Sequence, residues 1–128
     1  MGLYNFRPRF VPFILGKKKR HTIRATRKIR DKVGSTAHLY TGLRTKKTVL
    51  LGRHPIIKVE AIEIFPRAGN EYDPIVYIDG VALTKDEREK LARLDGFENL
   101  AEMAGFWHGR LPFSGEIIHW NPEVECTA

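Results

Sequence analysis

The sequence predicts an α+β domain in which five or six short strands roll into a small β-barrel beside two or three short helices. Three observations lead there. Apolar residues recur at alternate positions in several short runs bounded by Gly, Pro or Asp. A hairpin dipeptide, Asp79-Gly80, separates two of these runs. The capping sequence Thr84-Lys85-Asp86-Glu87 opens a stretch with helical apolar spacing. A chain of 128 residues buries enough surface for one core, so a single domain spans 1–128, with its centre at about 10–120.

Residues 10–16 read as a short helix, with Pro12 suited to its start and Gly16 to the position after its end. Thr22-Ile23-Arg24 reads as a short strand with Ile23 inward and Thr22 and Arg24 on the other face. A turn at Lys32-Val33-Gly34 leads into a strand over 36–41, with Ala37 and Leu39 on one face. A basic loop at 44–47 precedes a short strand at 49–51 that Gly52 ends. Residues 56–65 carry the strongest strand signal. Ile57, Val59 and Ala61 share one parity and Ile62 and Ile64 the other, so a bulge is expected near Ala61 and Ile62. The hairpin covers 75–83, a helix follows from Thr84 and buries Leu91 and Leu94, and Asp95-Gly96 breaks it. A second helix over about 98–108 stacks Leu100, Met103 and Trp107. A last strand spans 115–120 and a tail follows.

Charge is divided unevenly. Residues 1–54 hold fifteen of the 22 Lys and Arg and one of the fifteen acids, a formal +14, whereas 55–128 sum to −7. A self-repelling segment of this kind calls for an anionic partner, and phosphates are the commonest. The densest run contains Lys17, Lys18, Lys19, Arg20, Arg24, Arg27, Lys28, Arg30 and Lys32, with Arg44, Lys46 and Lys47 arriving later. Arg24 suits a bidentate clamp on a phosphate or base edge, and the lysines suit point-charge contacts. Crowding also lowers the pKa of neighbouring ammonium groups, which favours a lysine base. Tyr40, on the polar face of its strand, is the base-stacking candidate; Trp107 and Trp120 read as core. Asp95 reads either as a turn residue or as a carboxylate aimed at a pocket beside the lysines.

Several classes have no support in the sequence. No apolar run is long enough to span a bilayer, and the N-terminus lacks a signal-peptide core. Cys126 is the lone cysteine, which fits a reduced, cytoplasmic setting. The five histidines lack ligand spacing, so neither a metal nor a cofactor is expected. Ser35 and Ser114 lie in no nucleophile motif, and the glycines form no phosphate-cradling loop.

With these residues in view, the chain resembles the ASCH domain family, whose fold is PUA-like. The resemblance rests on Gly16-Lys17-Lys18-Lys19-Arg20-His21-Thr22-Ile23-Arg24, which matches a Gly-x-Lys segment followed by an Arg. Lys19, Thr22, Ile23 and Arg24 fit a Lys-x-x-Thr-Ile-Arg form; Gly16 falls one residue early, leaving Lys18 and Lys19 both open as the signature lysine. Leu94-Asp95-Gly96-Phe97, followed by Leu100 and Glu102-Met103, resembles the family's acid-Gly-Phe turn into a helix. Val33-Gly34 resembles its Val-Gly-Asp turn, with Ser35 in place of Asp. The resemblance implies a barrel with a cleft lined by the signature segment, binding RNA or modified nucleosides. Some members deacetylate acetylcytidine with a Lys, a Thr and a Glu, which fall here on Lys19, Thr22 and near the shorter Asp95. Others are reported as ribonucleases.

The first expectation is therefore binding of RNA or a modified nucleoside, with DNA as an alternative polyanion and no membrane partner. The second is an amidohydrolase, with Lys19 as base, Thr22 as nucleophile or its positioner and Asp95 as proton carrier. The third is a ribonuclease in the same cleft. A fourth is a protein-interaction module whose basic surface meets an acidic partner, or simply its own acidic half.

Overall fold

The computed structural model describes residues 2–27 and 31–126. Lys28 and Arg30, two of the expected cationic residues, lie outside the described residues, as does the end of the tail. The chain is α+β. Among the described residues a curled, mixed sheet of seven strands forms a half-barrel, accompanied by three short α-helices.

The first strand was not expected from the sequence. Gly2–Phe6 (β1) alternates Tyr4 and Phe6 inward with Leu3 and Asn5 outward, and pairs in parallel with Thr36–Thr41 (β3). A parallel pair needs a crossover. Here it contains a 3-10 turn at Pro8–Phe10, the helix Val11–Leu15 (α1) and the strand His21–Ala25 (β2). β2 matches the expected strand, and β3 has the expected bounds, with Ala37 and Leu39 fully buried.

Val49–Phe65 (β4) is one strand of 17 residues where two were expected. Gly52 was expected to end the first of them, yet Gly52 pairs with Leu39, and Pro55 beyond it pairs with Thr36. Two register shifts bend the strand. One leaves Leu51 unmatched against β3, and the other leaves Ile57 unmatched between Ile56 and Lys58. The second shift lies closer to the N-terminus than the expected bulge. It turns Ile57 outward and leaves Ile56, Ile62 and Ile64 inside. The bent strand thereby pairs with β3 along its first half and with Ile75–Ile78 (β5) and Phe113–Trp120 (β7) along its second.

β5 and Val81–Ala82 (β6) form the expected hairpin, with Asp79 and Gly80 at φ of 50° and 80°. The capping box is complete: Thr84 Oγ1 accepts from the Glu87 amide at 3.2 Å, and Glu87 Oε1 accepts from the Thr84 amide at 2.9 Å. It opens Lys85–Leu94 (α2), which buries Arg88, Leu91 and Ala92. Leu94, expected inside, is exposed because it ends the helix off that stripe. Arg88 forks onto Asp73 at 2.9 and 3.2 Å and donates to the Leu83 carbonyl at 2.7 Å, fixing α2 to the preceding loops. Leu100–Trp107 (α3) is capped by Asn99 and buries Leu100, Met103, Ala104 and Trp107.

The sheet runs β1-β3-β4, continues through β7, and ends at β2. A branch through β5 ends at β6, and two of the terminal strands, β1 and β2, are not strand-paired with each other. Side chains cross this seam instead. Arg24 Nη2 donates to the Asn5 carbonyl at 2.6 Å, and Arg27 Nη2 donates to the Leu3 carbonyl at 2.7 Å. The Arg27 guanidinium lies 4.4 Å from the Tyr4 ring centroid, and that of Arg24 lies 5.1 Å from Phe6. Among the described residues, no helix is long and apolar enough to cross a membrane.

Replacing Thr84 by Ala removes one half of the capping box and is expected to cost about 1 kcal/mol. Urea unfolding at neutral pH checks this, with a lower midpoint and an unchanged slope as the expected result.

Candidate functional site

The seam opens into a cavity of about 460 Å³ between β1, β2 and the α2–α3 connection. Its polar wall comes from the basic segment and the helix break: Lys19, Thr22, Arg24 and Asp95. Phe10, Phe97, Phe106, Trp107 and Phe113 supply much of the remainder, with Arg7 and Arg110 among the other lining residues. The rings touch in sequence. Phe10 meets Phe97 edge-on at 5.7 Å, Phe97 meets Phe106 at 5.5 Å, and Trp107 meets Phe113 at 4.6 Å.

Lys19 and Asp95 form the floor. Both are buried, at 3% and 6% exposure. Lys19 Nζ donates to Asp95 Oδ1 at 2.6 Å and to the Asp95 carbonyl at 2.7 Å, and it lies 5.0 Å from the Phe10 ring centroid. An ammonium has three donors; among the described residues these two hydrogen bonds use two of them. Asp95 reaches this place because it caps the end of α2, its amide donating to the Leu91 carbonyl at 2.9 Å. Gly96 then turns the chain at φ 99°, where a Cβ would stand 2.9 Å from the Phe10 ring. Only glycine meets both conditions without strain.

Electrostatics follow from this burial. Loss of water pushes the Lys19 ammonium below the ordinary lysine range, only partly offset by Asp95, and Arg24 adds to the lowering. Burial pushes the Asp95 carboxyl up, but Lys19 and His21 together outweigh it and hold the group below the usual carboxylate range. Burial, with a contribution from Arg27, also lowers Arg24.

Thr22 Oγ1 accepts a hydrogen bond from Arg24 Nε at 2.9 Å, so the expected pairing on one strand face is present. Thus Lys19, Thr22, Arg24 and Asp95 meet around one cavity. Of the two candidate signature lysines, Lys19 is the buried one and Lys18 is exposed. Lys17 and Arg20 stand outside the cavity, within 3.3 and 3.5 Å of Glu123. Arg27 and Arg44 line a neighbouring groove with Arg24. Lys46 is exposed, and Lys47 lines a recess beside Val11 and Pro12. Tyr40 sits in β3 opposite Asn5 and lines neither the cavity nor the groove. Trp107, read as core, is buried but belongs to the cavity wall, whereas Trp120 packs edge-on against Phe6 in the core.

Sequence reasoning missed His21. Its Nε2 lies 3.1 Å from Asp95 Oδ1, its ring meets that of His119 edge-on at 5.4 Å, and His119 in turn is 2.6 Å from Glu60. The parity it shares with Ile23 was the available signal. Burial and His21 lower His119, despite Glu60. The phenylalanine wall was also missed. Among the described residues no group of three or more His, Cys, Asp or Glu side chains is placed to hold a metal ion.

The depressed Asp95 pKa sets a sign. Its contribution to stability is present above the normal carboxylate range and is lost as pH falls through its lowered folded value. Asp95→Asn leaves Lys19 buried without its counter-charge and is expected to cost about 3–5 kcal/mol at pH 7. Denaturant unfolding at pH 7 and pH 3 checks both points: a large loss at pH 7, and a smaller difference between the two pH values than in the wild type.

Comparison with family models, curated proteins and solved structures finds no match for the chain.

Proposed function

We propose that the chain is a PUA-like domain of the ASCH type that takes an unpaired base of RNA, or a modified nucleoside, into the cavity. One observation carries this reading: an aromatic-walled cavity has a donor and an acceptor side by side on its floor, in Lys19 and Asp95. A base has two flat apolar faces and an edge of alternating donors and acceptors. Aromatic walls suit the faces, each stacking contact being worth about 1–3 kcal/mol. Lys19 suits a ring nitrogen or carbonyl, and Asp95 suits an exocyclic amino group. The volume of about 460 Å³ falls within the range of small-molecule sites. Surface charge plays a lesser part, because Lys17 and Arg20 already share Glu123.

The second reading, deacetylation of acetylcytidine, is favoured by the presence of the Thr22 hydroxyl in the same cavity as a buried lysine of lowered pKa. In that reaction neutral Lys19 takes the proton of the attacking hydroxyl, from Thr22 or from water that Thr22 orients. The Lys19 ammonium so formed returns that proton, through the Asp95 carboxylate it touches, to the departing 4-amino group. Acetate and cytidine are the products, directly or after water releases the acetyl group from Thr22.

Titrating the protein with acetylcytidine while following tryptophan fluorescence tests binding, since Trp107 lines the cavity. A saturable change that Phe106→Ala weakens about tenfold supports the base pocket; no change with acetylcytidine, cytidine or short RNA overturns it. Chromatography of the same mixture separates the two readings. Released cytidine that disappears in Thr22→Val and Lys19→Ala, with folding checked by circular dichroism, establishes hydrolysis; binding without release leaves a binding module.

A further inference from the structure

Beside the base cavity lies a second hollow of about 650 Å³, lined by Leu3, Asn5, Arg24, Arg27, Leu43 and Arg44. It adjoins the first, since Asn5 and Arg24 belong to both. Three of its six lining residues are arginines and none is acidic. Asp31 lies 3.5 Å from Arg27 and is also bonded to the Tyr4 hydroxyl, so it offsets one guanidinium at most.

The arginines are held in place by the fold. Arg24 spends Nε on Thr22 and one Nη2 proton on the Asn5 carbonyl, and among the described residues Nη1 makes no hydrogen bond. Arg27 is fixed by the Leu3 carbonyl and the Tyr4 ring. Arg44 has neither ion pair nor side-chain hydrogen bond among the described residues, and its backbone sits at φ 67°. That left-handed conformation is strained for a non-glycine residue. The loop around it is braced: Thr45 Oγ1 donates to the Gly42 carbonyl at 2.6 Å, and Thr48 Oγ1 lies within 2.9 and 2.8 Å of the Gly42 and Thr45 carbonyls. Asn5 Oδ1 accepts from the Leu43 amide at 2.9 Å and anchors the loop to β1.

We propose that this groove is a phosphate subsite, and that the ligand of the base cavity is therefore a phosphorylated nucleoside. The inference rests on the base-pocket reading above. Fixed guanidinium forks match phosphate oxygens bidentately. Arg24, at the junction, reaches toward both the base end and the phosphate end of one ligand. Leu3 and Leu43 offer the apolar edge of a ribose a surface between them. The phosphate belongs either to a free mononucleotide or to an RNA strand passing through the seam.

Fluorescence titrations with acetylcytidine, its 5′- and 3′-monophosphates, and a trinucleotide centred on acetylcytidine test the groove. At low salt one monophosphate or the trinucleotide is expected to bind at least tenfold tighter than the nucleoside, and added KCl shrinks that gain. A trinucleotide tighter than either monophosphate identifies a strand as the source; equal affinities identify a mononucleotide. Arg44→Gly removes the guanidinium while suiting the left-handed backbone, so folding is preserved. It is expected to lower the nucleotide-to-nucleoside affinity ratio at least fivefold. Nucleoside binding with no phosphate gain, or a ratio that Arg44→Gly leaves unaltered, overturns the groove alone. Absence of binding by any of the four ligands overturns the groove and the base pocket together.

Discussion

The buried contact between Lys19 and Asp95 holds the site together. It joins residues 76 positions apart, and it fixes the start of β2 to the break between two helices. A buried ion pair adds little net stability, because each charge gives up its water before it gains a partner. A hydrophobic pair of the same volume would hold these elements at least as well. The ionic version instead places a fixed donor and a fixed acceptor under an aromatic wall, where low polarity strengthens every contact they make. Perturbed ionisable groups of this kind concentrate at functional sites.

Around that contact the chain sorts its own charge. The basic half meets the acidic half at Arg9 with Glu102, at Lys17 and Arg20 with Glu123, and at Lys19 with Asp95. These contacts neutralise part of the electrostatic face that the raw count of cations suggests. Apart from these pairs, the guanidinium groups of Arg24, Arg27 and Arg44 gather along one groove. A small set of positioned arginines selects for phosphate geometry, whereas a diffuse lysine surface attracts any polyanion.

Elements with local signals were legible in the sequence. The capping box at Thr84, the Asp79-Gly80 hairpin and the alternation in β3 each lie within a few residues, and each is present. Elements set by distant partners were not. β4 runs through Gly52 and Pro55 because β3 pairs alongside them, which no local rule reports. β1 is five residues long and gains its meaning only from a parallel partner more than thirty residues on. The same division holds at the site. Lys19, Thr22, Arg24 and Asp95 stand in short recognisable patterns, and they line one cavity. The aromatic wall draws on Phe10, Phe97, Phe106, Trp107 and Phe113, which have no shared spacing, so only the folded chain assembles it.

The parallel pairing of β1 with β3 explains why the seam exists and why it is cationic. To run beside β3 in the same direction, β1 occupies a sheet edge, and the chain must cross over before β3 begins. The basic segment over 16–24 lies in that crossover. It lays β2 along the opposite edge against β7, leaving the two edges near each other but unpaired. Exposed strand edges present bare carbonyls, and a barrel normally removes them by closure. Here Arg24 and Arg27 satisfy the Asn5 and Leu3 carbonyls. A backbone closure would have sealed the sheet; a side-chain closure leaves hollows on either side of Arg24, one walled by rings and the other by guanidinium groups. The opening and its chemistry thus have a common origin in the topology of the first 41 residues.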